Sequence, residues 1–271
     1  MVEKIPDVKQ LFDLTGRVAL VTGGAMGIGR QIAQGFLEVG AQVILTSRLL
    51  VRAREAAEEL AAETGGNVLP IALNVRDEES VAAAFGQIAD LFGHLDVLVN
   101  NAGGAPDSAH CAIWNRELKD WNEVIETNLT GTFLCTRAAA RMMMPKRQGS
   151  IINVASIAGM VGRDRRMYEG LRMRPNLADY AASKAGILGF TRDVAAELGP
   201  FGIRVNAISP GGVQRNHDPE FVRRYADATA LGRMSTEGLD MKGMAVLLAS
   251  DAGAYITGAN MIVDGGFLCF K

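Results

Sequence analysis

Two tyrosines in the stretch "GRDRRMYEGLRMRPNLADYAASKAG" (162–186) each have a cationic side chain four residues on: Tyr168 has Arg172, and Tyr180 has Lys184. An i,i+4 pair shares one face of a helix, so either pair could set a cation against a phenol. A phenol with its ordinary pKa of about 10 is a poor base at neutral pH. A neighbouring ammonium favours the phenolate and makes the group an acid or base for an alcohol–carbonyl couple. The two pairs differ in kind. Arg172 carries a fixed charge and cannot relay a proton, and the residues around Tyr168 are rich in Arg, Met, Gly and Pro, which suit a helix poorly. Tyr180 is followed by small residues and a long helical pattern. Tyr180 and Lys184 are therefore the candidate catalytic pair, and Ser156 could hydrogen-bond a substrate oxygen and stabilise charge there.

A second group of residues suits a phosphate. "TGGAMGIGRQIAQGF" follows an apolar run, with glycines at 23, 27 and 29 ahead of a helical pattern. Gly23 permits a tight turn, Gly27 lets the backbone approach a pyrophosphate, and Gly29 allows close helix packing with N-terminal amides aimed at the anion. Glycines also end strands for purely structural reasons, so the loop by itself leaves nucleotide binding open. Farther on, "LTSRLL" carries Ser47 and Arg48 where an NAD-preferring site has an acid. A hydroxyl and a guanidinium suit a 2′-phosphate, which favours NADP(H) over NAD(H).

These groups need elements to hold them. Candidate strands at 17–22, 41–47, 67–73, 95–100, 150–156 and 203–209 are near-continuous apolar runs, as expected where helices cover both faces of a sheet. Amphipathic stretches lie between them at 51–64 and 77–92, with Asp77 placed to cap the second. The alternation predicts an α/β fold: a single doubly wound Rossmann-type domain with a parallel sheet and helices on both faces, spanning 1–271 with 1–12 as a loose arm. The formal net charge of −2 gives no bulk case for nucleic acid or a membrane surface. Cys111, Cys135 and Cys269 lie far apart with no ligand cluster, so neither a disulfide framework nor a metal site is expected. With no apolar leader or membrane-length run, the reading is a cytoplasmic protein.

The chain resembles the short-chain dehydrogenase/reductase family. "TGGAMGIG", "NNAG", Asn128 in "ETNLTGTF", Ser156 in "NVASIAG", "YAASK", "RVNAISPG" and "ITGANMIVDGG" carry the resemblance over about residues 13–266. It implies an NAD(P)-dependent oxidoreductase acting on CH–OH groups of a small molecule. Tyr180 would be the acid/base, Lys184 its partner and a ribose ligand, Ser156 the substrate-orienting serine, and Asn128 the holder of a relay water. The cofactor would lie against Gly23, Met26, Gly27, Ile28, Gly29, Ser47, Arg48, Asn74, Val75, Asn101, Ala102, Gly103, Tyr180, Lys184, Pro210, Gly211 and Val213. The resemblance further implies a homotetramer, built on helices near 117–145 and from Tyr180 onward, with a C-terminal strand near 260–264.

Three departures stand out. Asn74 replaces the usual aspartate; Arg215 stands where a threonine or serine usually follows the "PG" proline; and 24 residues separate Ser156 from Tyr180, about twice the usual number. The excess is an insertion at 158–177, with arginines at 163, 165, 166, 172 and 174. Loop charge is usually solvated. The sharper expectation is an anion-recognising rim, with 211–234 as a substrate lid, formed by Arg166, Arg172, Arg215 and His217 and by Arg223 or Arg224. The substrate expected is a sugar, polyol or sugar acid. The alternatives are a 3-oxoacyl thioester, with Arg137, Arg141, Lys146 and Arg147 greeting an acidic carrier, or a non-enzymatic nucleotide-binding regulator.

Overall fold

The computed structural model describes residues 6–104, 112–175 and 177–270. Seven parallel strands form one sheet: β1 (Val18–Val21), β2 (Gln42–Ser47), β3 (Val68–Ala72), β4 (Val97–Asn100), β5 (Gly149–Val154), β6 (Ile203–Pro210) and β7 (Asn260–Val263). Their order is β3-β2-β1-β4-β5-β6-β7, so the winding reverses between β1 and β4. In such a sheet that reversal opens a crevice beyond the strands' carboxyl ends.

The apolar runs are explained by burial on two sides. Along β1, Ala19 and Val21 enter one core and Val18 and Leu20 the other. The first core is filled from α2 (Gly27–Glu38), α3 (Leu50–Thr64) and α9 (Lys242–Ala249), the second from α4 (Glu78–Phe92), α6 (Gly131–Met143) and the end of α7 (Ala178–Leu198). Asp77 accepts a hydrogen bond from Glu79 N at the start of α4, and Gly93 ends that helix at φ +68°, which only glycine adopts readily. Between the cores runs a buried amide chain: Asn100 Nδ2 donates to Thr136 and Asn153, and Asn153 Nδ2 donates to Thr191. It ties β4 and β5 to α6 and α7.

Three segments differ from their sequence pattern. Residues 6–12 of the N-terminal arm include a single turn, α1 (Val8–Leu11), closed by a reciprocal Asp7–Gln10 capping box. The rest of the arm lies outside the described residues. The 117–145 stretch is helical throughout its length but not uniformly α: α5 (Leu118–Ile125) passes through a π turn, Glu126–Thr130, into α6. That wider turn carries the buried Asn128. Among the described residues, the 158–177 insertion holds the end of one 3₁₀ turn, Ile157–Gly159, and a second, Arg165–Tyr168, and no α-helix before α7, while 211–234 contains α8 (Pro219–Asp227). Among the described residues, no helix is long and apolar enough to cross a membrane.

Cys135 is buried on α6, and burial pushes its thiol up to about 12; Cys269 is exposed. Ellman's reagent is therefore expected to modify Cys269 in the native protein and Cys135 only after denaturant is added. Mass mapping that finds Cys135 labelled at native rates would contradict this packing.

Candidate active site

The glycine turn after β1 is shaped by close approaches. Gly23 and Gly27 have φ +61° and +57°. A Cβ on Gly23 would strike the backbone of Ala102, and one on Gly29 would strike Asn101 Nδ2 and Gly23 O. Asn101 Nδ2 donates to Thr22 O and Gly23 O, both at 2.9 Å, and Thr22 Oγ1 accepts from the backbone N of Asn101 and of Ala102. Two distant motifs, "TGG" and "NNAG", thus brace each other. Helix α2 starts here without a side-chain cap from Met26, which leaves its first amides for another acceptor. A glycine cradle facing an uncapped helix N-terminus fits the pyrophosphate of a dinucleotide. Gly103 closes against Asn128, and Val75 packs against Gly131.

Around the crevice, Ser47 ends β2 and Arg48 is exposed, with no ion pair among the described residues. Asn74 Oδ1 already accepts from Arg76 N at 3.3 Å, leaving one lone pair for an adenine amine. Pro210 ends β6, Gly211 N donates to Val263 O, and Val213 bridges to Ser235.

The chemical residues converge beside this cradle. Tyr180 and Lys184 sit on α7, with Lys184 Nζ 5.7 Å from the Tyr180 ring centroid. The Lys184 ammonium donates to Val154 O at 2.7 Å, and burial brings its pKa down to about 8. Burial pushes the Tyr180 phenol up, opposed by its hydrogen bond with Ser156 and then by the charge of Arg163. The i,i+4 spacing pointed to Lys184 alone; the Arg163 guanidinium, 5.6 Å from the Tyr180 ring centroid, is a second cation beside the phenol. Ser156 follows β5 and accepts from Ala158 N. Asn128 donates to Ser183 Oγ and Gly104 O and accepts from Gly104 N. Tyr168, the other tyrosine of the stretch, packs on Phe221 at 5.1 Å between ring centroids, its hydroxyl accepting from Arg163.

Ser156 and Tyr180 open onto a cavity of about 260 Å³. Its far walls come from the insertion (Met167, Tyr168, Met173) and from α8 and its neighbours (Phe221, Tyr225, Phe267). The two segments are joined by Arg224, whose Nη1 donates to the carbonyls of Arg166, Met167 and Glu169. Tyr225 Oη accepts from Gly212 N at 2.5 Å and fastens α8 to the end of β6.

The expected anion rim needs correction. Arg166 is highly exposed (82% of its side chain) and ion-paired with Asp164, and Arg172 is also exposed; neither lines the cavity. Arg166 is on the 3₁₀ turn, and Arg172 lies beyond it. Arg215 lies against Gly27, pairs with Glu237 and borders the glycine turn instead of the cavity. Arg223 pairs with Glu220 and Asp227. Of Arg166, Arg172, Arg215 and His217, only His217 lines the cavity, its ring on Phe221 and its pKa lowered by burial. Arg163 lines it as well, as one of five loop arginines that spacing could not rank. A second feature without local signal is the ion pair of Arg116 with Asp179, next to Tyr180.

The profile of a family described as enoyl-(acyl carrier protein) reductase matches residues 23–268. A 3-oxoacyl-[acyl-carrier-protein] reductase of Aquifex aeolicus is 36% identical over 257 residues, covering 93% of this chain and 98% of that protein. A trans-4-hydroxycyclohexanecarboxylate dehydrogenase of Sinomonas cyclohexanicum is 38% identical over 255 residues, covering 92% of each. Among solved structures, a gluconate 5-dehydrogenase from Burkholderia cenocepacia in complex with NADP and tartrate superposes with a TM-score of 0.87 at 29% identity, over 97% of this chain and 99% of that one.

Proposed function

The chain belongs to the short-chain dehydrogenase/reductase family, and from that premise we propose an NADP-preferring enzyme that interconverts a compact, largely apolar ketone and its secondary alcohol. One observation carries the reading: the cavity beside Ser156 and Tyr180 has Met167, Met173, Met234, Phe221 and Phe267 in its walls, with Arg163, Asp164, Arg174 and His217 among its polar groups. The Met and Phe side chains offer a polyol no hydrogen-bond partners, and hydroxyls left unpaired against them are costly to bury. The ring substrate named for the Sinomonas relative supports a body of this kind.

A nicotinamide dinucleotide, when bound, supplies or accepts the hydride. The chain's own residues handle the proton. Ser156 Oγ donates to the substrate oxygen and holds it beside Tyr180 Oη. In reduction the phenol gives that oxygen its proton; in oxidation the phenolate takes it back. Lys184, with a pKa of about 8, exchanges protons near neutral pH and keeps the phenol supplied. Asn128 keeps its implied place in the relay to solvent.

Ser47 and Arg48 support the NADP preference, as does the NADP in the Burkholderia structure. Combining Ser47→Asp with Arg48→Ala removes a phosphate partner and adds an acceptor for the 2′-hydroxyl. The ratio of NADP to NAD dissociation constants is expected to move towards NAD by about 10- to 100-fold, the worth of one charge-assisted hydrogen bond. Fluorescence titration decides the matter: a wild type that already binds NAD more tightly overturns the assignment.

A 3-oxoacyl thioester reductase is the second reading, favoured by the name of the Aquifex relative. Of the basic run, Arg137 is ion-paired with Glu78 and Arg147 donates to Pro200 O, leaving Arg141 and Lys146 exposed for a carrier. NADPH oxidation with cyclohexanones and with acetoacetyl-CoA separates the two: a higher kcat/KM for the thioester selects the second. In either case the enzyme is a homotetramer in this reading. Exposed Phe133 on α6 and Ile262 on the edge strand β7 suit contacts between copies, and a monomer by light scattering refutes it.

A further inference from the structure

Arg163 is out of keeping with the cavity it enters. It is half-buried, makes no ion pair among the described residues, and lines a space whose walls hold Ile157, Met167, Phe221, Met234 and Phe267 together with Asp164, Arg174 and His217. Its Nη1 donates to Tyr168 Oη at 3.3 Å, and its guanidinium carbon lies 5.6 Å from the Tyr180 ring centroid. Arg166 is engaged with Asp164, Arg215 with Glu237, Arg223 with Glu220 and Asp227, and Arg224 with Glu220 and three carbonyls, while Arg174, which also lines the cavity, is exposed.

A guanidinium cannot shed its charge in this setting, and its planar fork matches a carboxylate through two parallel hydrogen bonds. A partly desolvated cation is stabilised by an anion that arrives with the ligand, and the carboxylate in the cavity wall, Asp164, is already paired with Arg166. Tyr168 takes one of its N–H groups and fixes the head, leaving others free to donate. The charge therefore stands next to the phenol that handles the substrate oxygen, with no loop motion required.

We propose that Arg163 selects the substrate by its charge: the ligand is an apolar monocarboxylate, an oxo acid or the matching hydroxy acid, with the carboxylate on Arg163 and the reacting carbon at Tyr180. This rests on the oxidoreductase reading above and adds a substrate class to it. It also moves anion recognition from the outward-facing Arg166 and Arg172 to the one insertion arginine that is both cavity-lining and half-buried.

Binding of two unreactive probes tests it without turnover. Cyclohexanecarboxylate and the neutral cyclohexanecarboxamide are titrated by calorimetry into the NADP⁺-saturated protein. The wild type is expected to bind the carboxylate at least ~10-fold more tightly, the yield of one charge-assisted pair. Arg163→Gln removes that preference while NADP⁺ and carboxamide affinities stay within about two-fold, and Arg163→Lys keeps part of it because the charge remains without the fork. Arg166→Gln, changed outside the cavity, keeps it in full. Equal binding of the two probes by the wild type, or a preference that survives in Arg163→Gln, overturns the proposal. Failure of the protein to bind NADP⁺ at all would instead count against the oxidoreductase reading.

Discussion

Tyr180→Phe is expected to lower kcat by about 10²- to 10⁴-fold, the usual worth of one positioned acid–base group, with NADP affinity changed little. The substitution removes a single oxygen from a ring held by α7, so the glycine cradle and its bracing by Asn101 are untouched. Tyr168→Phe removes the same atom from a ring packed on Phe221 and is expected to leave kcat within a few-fold of the wild type. The pH dependence carries the same assignment. Lys184 is charged below about 8 and neutral above, so carbonyl reduction, which draws a proton through the pair, declines as pH rises through that value. Oxidation, which needs the phenolate, gains over the same range and beyond, because burial holds the Tyr180 phenol up. Steady-state kinetics in both directions test the pair. Normal turnover in Tyr180→Phe, or loss of turnover in Tyr168→Phe, removes the assignment.

The strands and the phosphate turn were legible because their signals are local. β1 to β6 each lie within two residues of their apolar run, whereas β7 was implied only by the family resemblance; Asp77 caps the helix where its position suggests. The same holds for Tyr180 and Lys184, whose juxtaposition follows from helical spacing alone. What escaped the sequence depends on contacts between distant segments. The middle of the insertion is held by Arg224, which draws in the carbonyls of residues 166, 167 and 169 from 55–58 positions away. No pattern within 158–177 encodes that bond, so five arginines of similar surroundings could not be told apart. Arg215 was misread for a related reason. Its place by the "PG" corner is local information, but the Glu237 that draws it towards the glycine turn is not. The π turn at Asn128 was hidden too, since its residues read as an uninterrupted helix.

Arg116→Leu is the second large effect expected, and it acts through stability first. The Arg116 side chain is 2% exposed and that of Asp179 is fully buried; Arg116 Nε donates to Asp179 Oδ2 at 2.7 Å. Asp179 is the second residue of α7, and its Oδ1 accepts from Tyr180 N at 2.7 Å. Its negative charge in the first helical turn also suits the helix dipole, and Leu177 provides no side-chain cap. Loss of Arg116 would strand a buried carboxylate at the point where α7 presents its tyrosine. Breaking one side of such a pair costs about 3–5 kcal/mol. For a chain of this size that lowers Tm by roughly 10 °C, taking about 2–4 °C per kcal/mol. Turnover per folded molecule falls as well, since the Tyr180 backbone loses the partner of its anchor. Arg116→Leu combined with Asp179→Leu removes both charges, and it is expected to recover most of the lost Tm because apolar pairs often replace buried ion pairs at little cost. It does not recover full turnover, because the acceptor for Tyr180 N is gone. Scanning calorimetry and kcat on all three proteins separate the two effects. A single mutant as stable as the wild type would show that the pair is a bystander, and a double mutant no more stable than the single would show that the cost lay in lost packing, with the stranded charge contributing little.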